Sequence, residues 1–155
     1  MVKSVRMGYL TILMALSSCP FNKNNMTNLD IVKNTYEGKT SEENGKNLAK
    51  YVAEDIQWTE AKGFPYAGTY IGLEEITKNV FSRLGSEWIH YQFSPKQYVA
   101  EGNTVIAIGN YTGVYKKTGK GFEARVAHVW TLKDSKIIRF EQIVDSKTVT
   151  DAMTK

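Results

Sequence analysis

The stretch DIQWTEAKGFPYAGTY, Asp55 to Tyr70, puts a carboxylate, Glu60, at the end of an apolar strand and just before a Gly-Pro turn. An acid there has two uses. It can cap backbone N–H groups of the turn that follows, or it can accept a proton if the strand end opens on an apolar pocket. A second candidate is His128. In FEARVAHVWTL, residues Phe122, Ala124, Val126, His128, Trp130 and Leu132 share one face of a strand, and Glu123, Arg125, Ala127, Val129 and Thr131 share the other. His128 is the one titratable group on the apolar face. It is either a hydrogen-bonded core histidine or a donor or base facing a pocket. In the next strand Ile138, Phe140, Gln142 and Val144 alternate. Asp145 therefore faces the other way unless the strand bulges, and is either a strand-end cap or a pocket acid.

Other chemistries find little support. The two histidines, His90 and His128, are far apart and lack metal-ligand spacing, so no metal site is expected. His90, between Ile89 and Tyr91, reads as a surface or interface residue. There is no GxGxxG, GxxxxGK[ST] or GxSxG motif, which argues against nucleotide binding and serine hydrolase chemistry. The formal charge of +4, from 20 basic and 16 acidic residues, is mild and scattered, so no nucleic-acid partner is expected. A single cysteine, Cys19, excludes an intrachain disulfide.

The elements that must position these residues can be read from periodicity. A chain of 155 residues, 42% hydrophobic, suits one domain with a real core. Leu29, Val32 and Tyr36 recur at helical spacing, predicting a first helix over 28–37 with Asn28 as a cap. Thr40 and Glu43 have the capping-box form before a second helix over 41–52. Short strands over 55–60 and 66–71 flank the Gly63–Pro65 turn. LEEITKNVFSRL, with Leu73, Ile76, Val80, Phe81 and Leu84 on one face, predicts a third helix over 73–84. Four long strands follow, the first broken near Pro95, and the last ones joined by short turns as an antiparallel meander. The fold class is α+β, with three helices on one side of a curved antiparallel sheet. That arrangement encloses a cone whose open end is an apolar pocket.

The N-terminal MVKSVRMGYLTILMALSSC has the layout of a secretory signal. Lys3 and Arg6 precede an apolar run, Met7 to Leu16, too short to span a bilayer. LSSC resembles a lipobox, which would make residues 1–18 a lipoprotein signal peptide, Cys19 the lipidated residue and 19–26 a tether to a bacterial cell envelope membrane. The alternative is a start at Met26 and a cytoplasmic protein. The folded domain is expected over 27–149, with 150–155 as a C-terminal tail.

From about Thr27 to Val149 the chain resembles the SnoaL-like, ketosteroid isomerase-related branch of the NTF2-like superfamily. The resemblance is carried by WTEAKGFPYAGTYIG (58–72), NVFSRLGSEW (79–88), FEARVAHVWTL (122–132) and IIRFEQIVD (137–145). It implies a conical domain that works without a cofactor, often as a homodimer. It places the proton-abstracting base at Glu60 and a phenolic donor at Tyr36. The second acid of true ketosteroid isomerases falls on His128, a departure from their pattern. The implied function is binding of a small hydrophobic molecule, with proton abstraction beside a carbonyl (isomerase, cyclase or dehydratase type); the alternative is a non-catalytic binding module. Trp58, Phe64, Tyr66, Phe81, Trp130 and Gln142 are the expected ligand contacts.

Overall fold

Helix α1, Asn28–Asn34, starts where Thr27 can stop the chain from fraying. The Thr27 hydroxyl accepts the Asp30 N–H at 3.1 Å, and the Asp30 carboxylate accepts the Thr27 N–H at 3.0 Å. Thr27, not Asn28, is therefore the cap. The helix is also shorter than its periodicity suggests: Thr35 terminates it, and Tyr36 sits in the turn beyond. The computed structural model describes residues 26–155, so the signal, Cys19 and the tether up to residue 25 lie outside the described residues. Helix α2, Ser41–Tyr51, is capped by Thr40, whose hydroxyl accepts the Glu43 N–H at 3.1 Å. The Glu43 carboxylate does not complete the reciprocal bond of a capping box; it accepts the Lys39 N–H instead, at 2.8 Å.

Strands β1 (Val52–Glu60) and β2 (Gly68–Ile71) lead into a helical run over 72–87. It comprises α3 (Gly72–Ile76), a π-helical turn (Thr77–Phe81) and α4 (Ser82–Glu87). The meander β3 (Trp88–Glu101), β4 (Thr104–Tyr115), β5 (Gly121–Lys133) and β6 (Lys136–Val144) completes the sheet. The spatial order is β2-β1-β6-β5-β4-β3. Every neighbouring pair is antiparallel except β1 beside β6, which is parallel. The fold is the α+β cone anticipated above, with that one parallel contact added.

Curvature comes from irregularities in long strands. β3 is not broken at Pro95 but bent there, its register against β4 shifting between Pro95 and Gln97. Pro95 sits opposite Gly109, and a Cβ at that glycine would press against the Ser94 carbonyl oxygen and lie 2.9 Å from Pro95 Cα. Only glycine admits so close an approach. A second shift, between β5 and β6, changes which residues face inward. Ile137 and Phe140 are both buried whereas Ile138 is not, so the inward set Ile138, Phe140, Gln142, Val144 is corrected at its first member. One extra residue in the strand turns Ile137 to the core ahead of the regular alternation.

The interior has two parts. One cluster lies under α1, α2 and α3, built on Ile31, Ile56, Ile76, Trp58, Trp130 and Phe140. The other joins Phe64, Tyr66, Trp88, Tyr115, Ala124, Val149 and Ala152. The last two belong to a helix α5, Ser146–Met153, where a boundary at 149 and a tail were expected. Its eight residues carry too short an apolar pattern to announce a helix. Burying Val149 and Ala152 against the second cluster is what stabilises it.

Candidate functional site

A cavity of about 380 Å³ lies between α2, the π-helical turn and the concave face of the sheet. Its walls are aromatic and aliphatic: Leu48, Trp58, Val80, Phe81, Leu84, Tyr91, Phe93, Trp130 and Phe140. The π-helical turn bears on this directly. One widened turn lets Val80 pack at 1% exposure while Phe81 reaches the cavity edge-to-face with Trp58, ring centroids 5.4 Å apart.

Glu60, Tyr36, His128, Trp58, Phe81, Trp130 and Gln142 all line this one cavity. Glu60 is the last residue of β1 and is 4% exposed. Its Oε1 accepts the Trp58 indole N–H at 2.7 Å. Its Oε2 is buried without a hydrogen-bond partner. Burial pushes the carboxyl up to about 7, with the indole bond opposing the shift. A carboxyl group so placed exists near neutrality in both charge states. It is not the cap of the turn after it: the Ala61 N–H goes instead to Gln142 Oε1, at 3.3 Å.

His128 is 4% exposed on the inner face of β5. Burial drives its pKa down to about 3, so the ring is neutral. Nδ1 lies 2.6 Å from the Tyr36 hydroxyl and Nε2 lies 2.5 Å from the Tyr111 hydroxyl. The Tyr36 oxygen also accepts the Trp130 indole N–H at 2.9 Å, and the Tyr111 oxygen accepts the Gln142 amide at 3.1 Å. Burial holds both phenols well above their ordinary value; the neighbouring Tyr111 adds to the rise at Tyr36, and Glu60 adds to it at Tyr111. They are donors, not anions.

Three sequence-based candidates lie elsewhere. Asp145 is exposed and caps α5, accepting from Thr148 N–H at 3.2 Å and Thr148 Oγ1 at 2.6 Å; those bonds lower its pKa. It is a cap and not a pocket acid, because β6 does not bulge at its end. Phe64 and Tyr66 point into the second cluster. The turn after Glu60 carries the chain past the cavity toward α5, so these side chains pack under that helix. Tyr111, conversely, was missed, as were Tyr91 and Phe93. The signal was present in β4, where Val105, Ala107, Gly109, Tyr111 and Tyr115 alternate on the buried face. Among the described residues no group of three His, Cys, Asp or Glu side chains could hold a metal ion.

The site is thus an aromatic-walled cavity in an α+β cone, with a buried carboxyl oxygen left unpaired and phenolic donors in the same lining. Residues 32–140 match the SnoaL-like domain, and the chain belongs to that family within the NTF2-like superfamily. It is 43% identical to an NTF2-like protein of Burkholderia thailandensis E264, covering 84% of this chain and all of that one, TM-score 0.80. More distant structures share the fold. One is TerC co-crystallised with polyporic acid (19% identity, 81% of this chain and 97% of that one, TM-score 0.71). Another is a candidate SnoaL-like polyketide cyclase of Jannaschia sp. CCS1 (16% identity, 81% and 90%, TM-score 0.67). No curated protein matches the chain.

Proposed function

We propose that the protein binds a small, largely apolar carbonyl compound in this cavity and that Glu60 removes a proton beside the carbonyl without a cofactor. The observation that carries this reading is the unpartnered, buried Oε2 of a carboxyl group poised near neutral pH. Leaving a buried acceptor unpaired costs stability, on the order of 1–3 kcal/mol. A ligand O–H presented to Oε2 offsets that cost, and an acidic C–H held there lies in reach for proton transfer. The carbonyl oxygen, becoming enolate-like as the proton leaves, takes a hydrogen bond from the phenols grouped around His128. Return of the proton from Glu60 to another atom of the same molecule gives isomerisation. Attack of the enolate carbon on a second carbonyl of the same molecule, whose oxygen takes the proton back from Glu60, gives cyclisation; departure of a β-hydroxyl as water, with the proton supplied by Glu60, gives dehydration. The aromatic walls favour a planar substrate.

Glu60→Gln preserves shape and removes proton acceptance. Assayed on small enolisable ketones and lactones, turnover should fall roughly 10²–10⁴-fold while affinity changes little. An unchanged rate removes Glu60 from the mechanism. A panel with no turnover at all, but measurable binding, favours the second reading, a non-catalytic binding module. That reading draws on the lipobox-like LSSC, since an envelope anchor suits a binding protein.

We also propose a homodimer through the outer face of the sheet. There Val99, Ile106 and Val129 form one cross-strand row, and Ile108, Ala127 and Ile143 another. Ile143 is 58% exposed and Val99 46%. Sedimentation of the protein should give twice the chain mass, and Ile143→Lys should return it to the 17.5 kDa chain. A single-chain particle at micromolar concentration overturns the proposal.

A further inference from the structure

The hydrogen bonds around His128 can be counted proton by proton. A neutral imidazole has one N–H and one bare nitrogen. Here each nitrogen faces a tyrosine hydroxyl: Nδ1 faces Tyr36 at 2.6 Å and Nε2 faces Tyr111 at 2.5 Å. Each phenol oxygen already accepts one fixed donor from its far side, the Trp130 indole at Tyr36 and the Gln142 amide at Tyr111. The Gln142 amide cannot turn round freely, because its Oε1 accepts the Ala61 N–H. Two arrangements remain. In the first, Tyr36 O–H donates to Nδ1, and Nε2–H donates to the Tyr111 oxygen, leaving the Tyr111 proton unspent. In the second, Tyr111 O–H donates to Nε2, and Nδ1–H donates to the Tyr36 oxygen, leaving the Tyr36 proton unspent.

We propose that His128 is a tautomeric relay between Tyr36 and Tyr111, which leaves one of their two phenol protons, and only one, free to hold a ligand oxygen in the cavity, beside the Tyr91 hydroxyl that is buried there without a partner. His128 then touches no ligand. Both of its nitrogens are occupied, and it acts as a positioning residue that decides which tyrosine donates. Tyr111 becomes a binding residue equal in standing to Tyr36. The ligand class follows: a planar apolar molecule with a single acceptor oxygen between Tyr36 and Tyr111, since a second would find no further proton from this pair.

The ligand part of this proposal rests on the cavity being a binding site for an apolar carbonyl compound; the tautomer part does not. Two measurements separate them. The first is ¹⁵N NMR of the His128 ring in the full chain at pH 7. The wild-type ring should show one protonated and one bare nitrogen. In Tyr36→Phe the N–H should move to Nε2, its remaining partner being Tyr111. In Tyr111→Phe it should move to Nδ1, toward Tyr36. A buried N–H is kept paired in preference to a buried lone pair, which fixes both directions. The same tautomer in both variants, or an imidazolium in the wild type, overturns the relay.

The second is binding of 1-tetralone, a bicyclic ketone, compared with tetralin, which lacks the oxygen. Each single Tyr→Phe variant keeps one free donor, so tetralone should weaken by less than roughly threefold. With every variant made in a Tyr91→Phe background, and the double variant also carrying His128→Phe so that no imidazole N–H replaces the phenols, no donor remains there, and tetralone should weaken roughly tenfold or more, with tetralin unchanged. A loss in the double variant equal to the product of the two single losses refutes the single shared proton. If neither compound binds the wild type, the carbonyl-binding reading fails, and the NMR result still decides the relay.

Discussion

Two aromatic-polar groups lie side by side in the interior, joined through the rings of Tyr91 and Phe64, and end in different states. Near α5, Tyr66 is 1% exposed, its oxygen accepts the Trp88 indole N–H at 2.7 Å, and its hydroxyl donates to Glu87 Oε2 at 3.0 Å. Glu87 is in turn paired with Arg83 at 3.0 Å, and the Arg83 guanidinium lies 4.3 Å over the Tyr66 ring. Each polar atom in that chain has a partner, and the chain runs out to solvent. In the cavity, Trp58 also donates an indole N–H to an acid, but that acid is enclosed, has no cation beside it among the described contacts, and keeps one oxygen unpaired. An indole beside a carboxyl or phenol thus serves two purposes. Where every bond is made, the group is architecture; where one is withheld, a ligand can supply it.

This contrast predicts separable mutational effects. The largest belongs to the α5 side. Phe64→Ala opens a hole in a closed cluster and should cost about 3–5 kcal/mol in chemical denaturation. Ligand affinity in the folded fraction should be unchanged, and a loss of affinity would show that Phe64 reaches the cavity after all.

Next comes a gain on the cavity side. The folded pKa of Glu60, about 7, lies above its ordinary 4.5, so the native state binds the proton more tightly than the unfolded chain. The neutral acid's stability is fully present below pH 4.5 and is lost as pH rises through about 7. Glu60→Gln, neutral at every pH, should therefore be roughly 3 kcal/mol more stable than the wild type at pH 8 and nearly equal to it at pH 4. A Tm comparison at the two pH values checks this, and a variant destabilised at pH 8 would show that the carboxylate is paired in the native state. His128 works in the opposite sense: its folded pKa is depressed to about 3, so its contribution is present above pH 6.5 and declines as pH falls below it.

The smallest effect tests the paired group. Tyr66→Phe strands the Trp88 indole N–H and should cost about 1–3 kcal/mol without altering turnover or affinity. A change in activity would blur the division between the two regions.

Much of the framework was legible along the chain. Alternation in β5 put His128 on the buried face, the Thr40–Glu43 spacing located the start of α2, and the strand end before a Gly-Pro turn marked Glu60. These are local properties: a period of two or 3.6 decides which face a side chain occupies, and a cap depends on residues three apart. Face is not depth, however. Nothing in the period distinguishes the cavity from the α5 cluster, so Phe64 and Tyr66 read as pocket residues until the path of the chain carried them past it. The bulge that turns Ile137 inward and the eight-residue α5 exist because of what they pack against. The hydrogen-bonded chain at the site joins Tyr36, Tyr111, His128, Trp130 and Gln142 across separations of up to 94 residues. The sequence by itself determined the inward face of β5 and where the acid stands. Only the tertiary structure decided which buried polar groups satisfy one another and which, Glu60 Oε2 and the Tyr91 and Tyr98 hydroxyls, are left unpaired, because satisfaction depends on partners that periodicity cannot bring together.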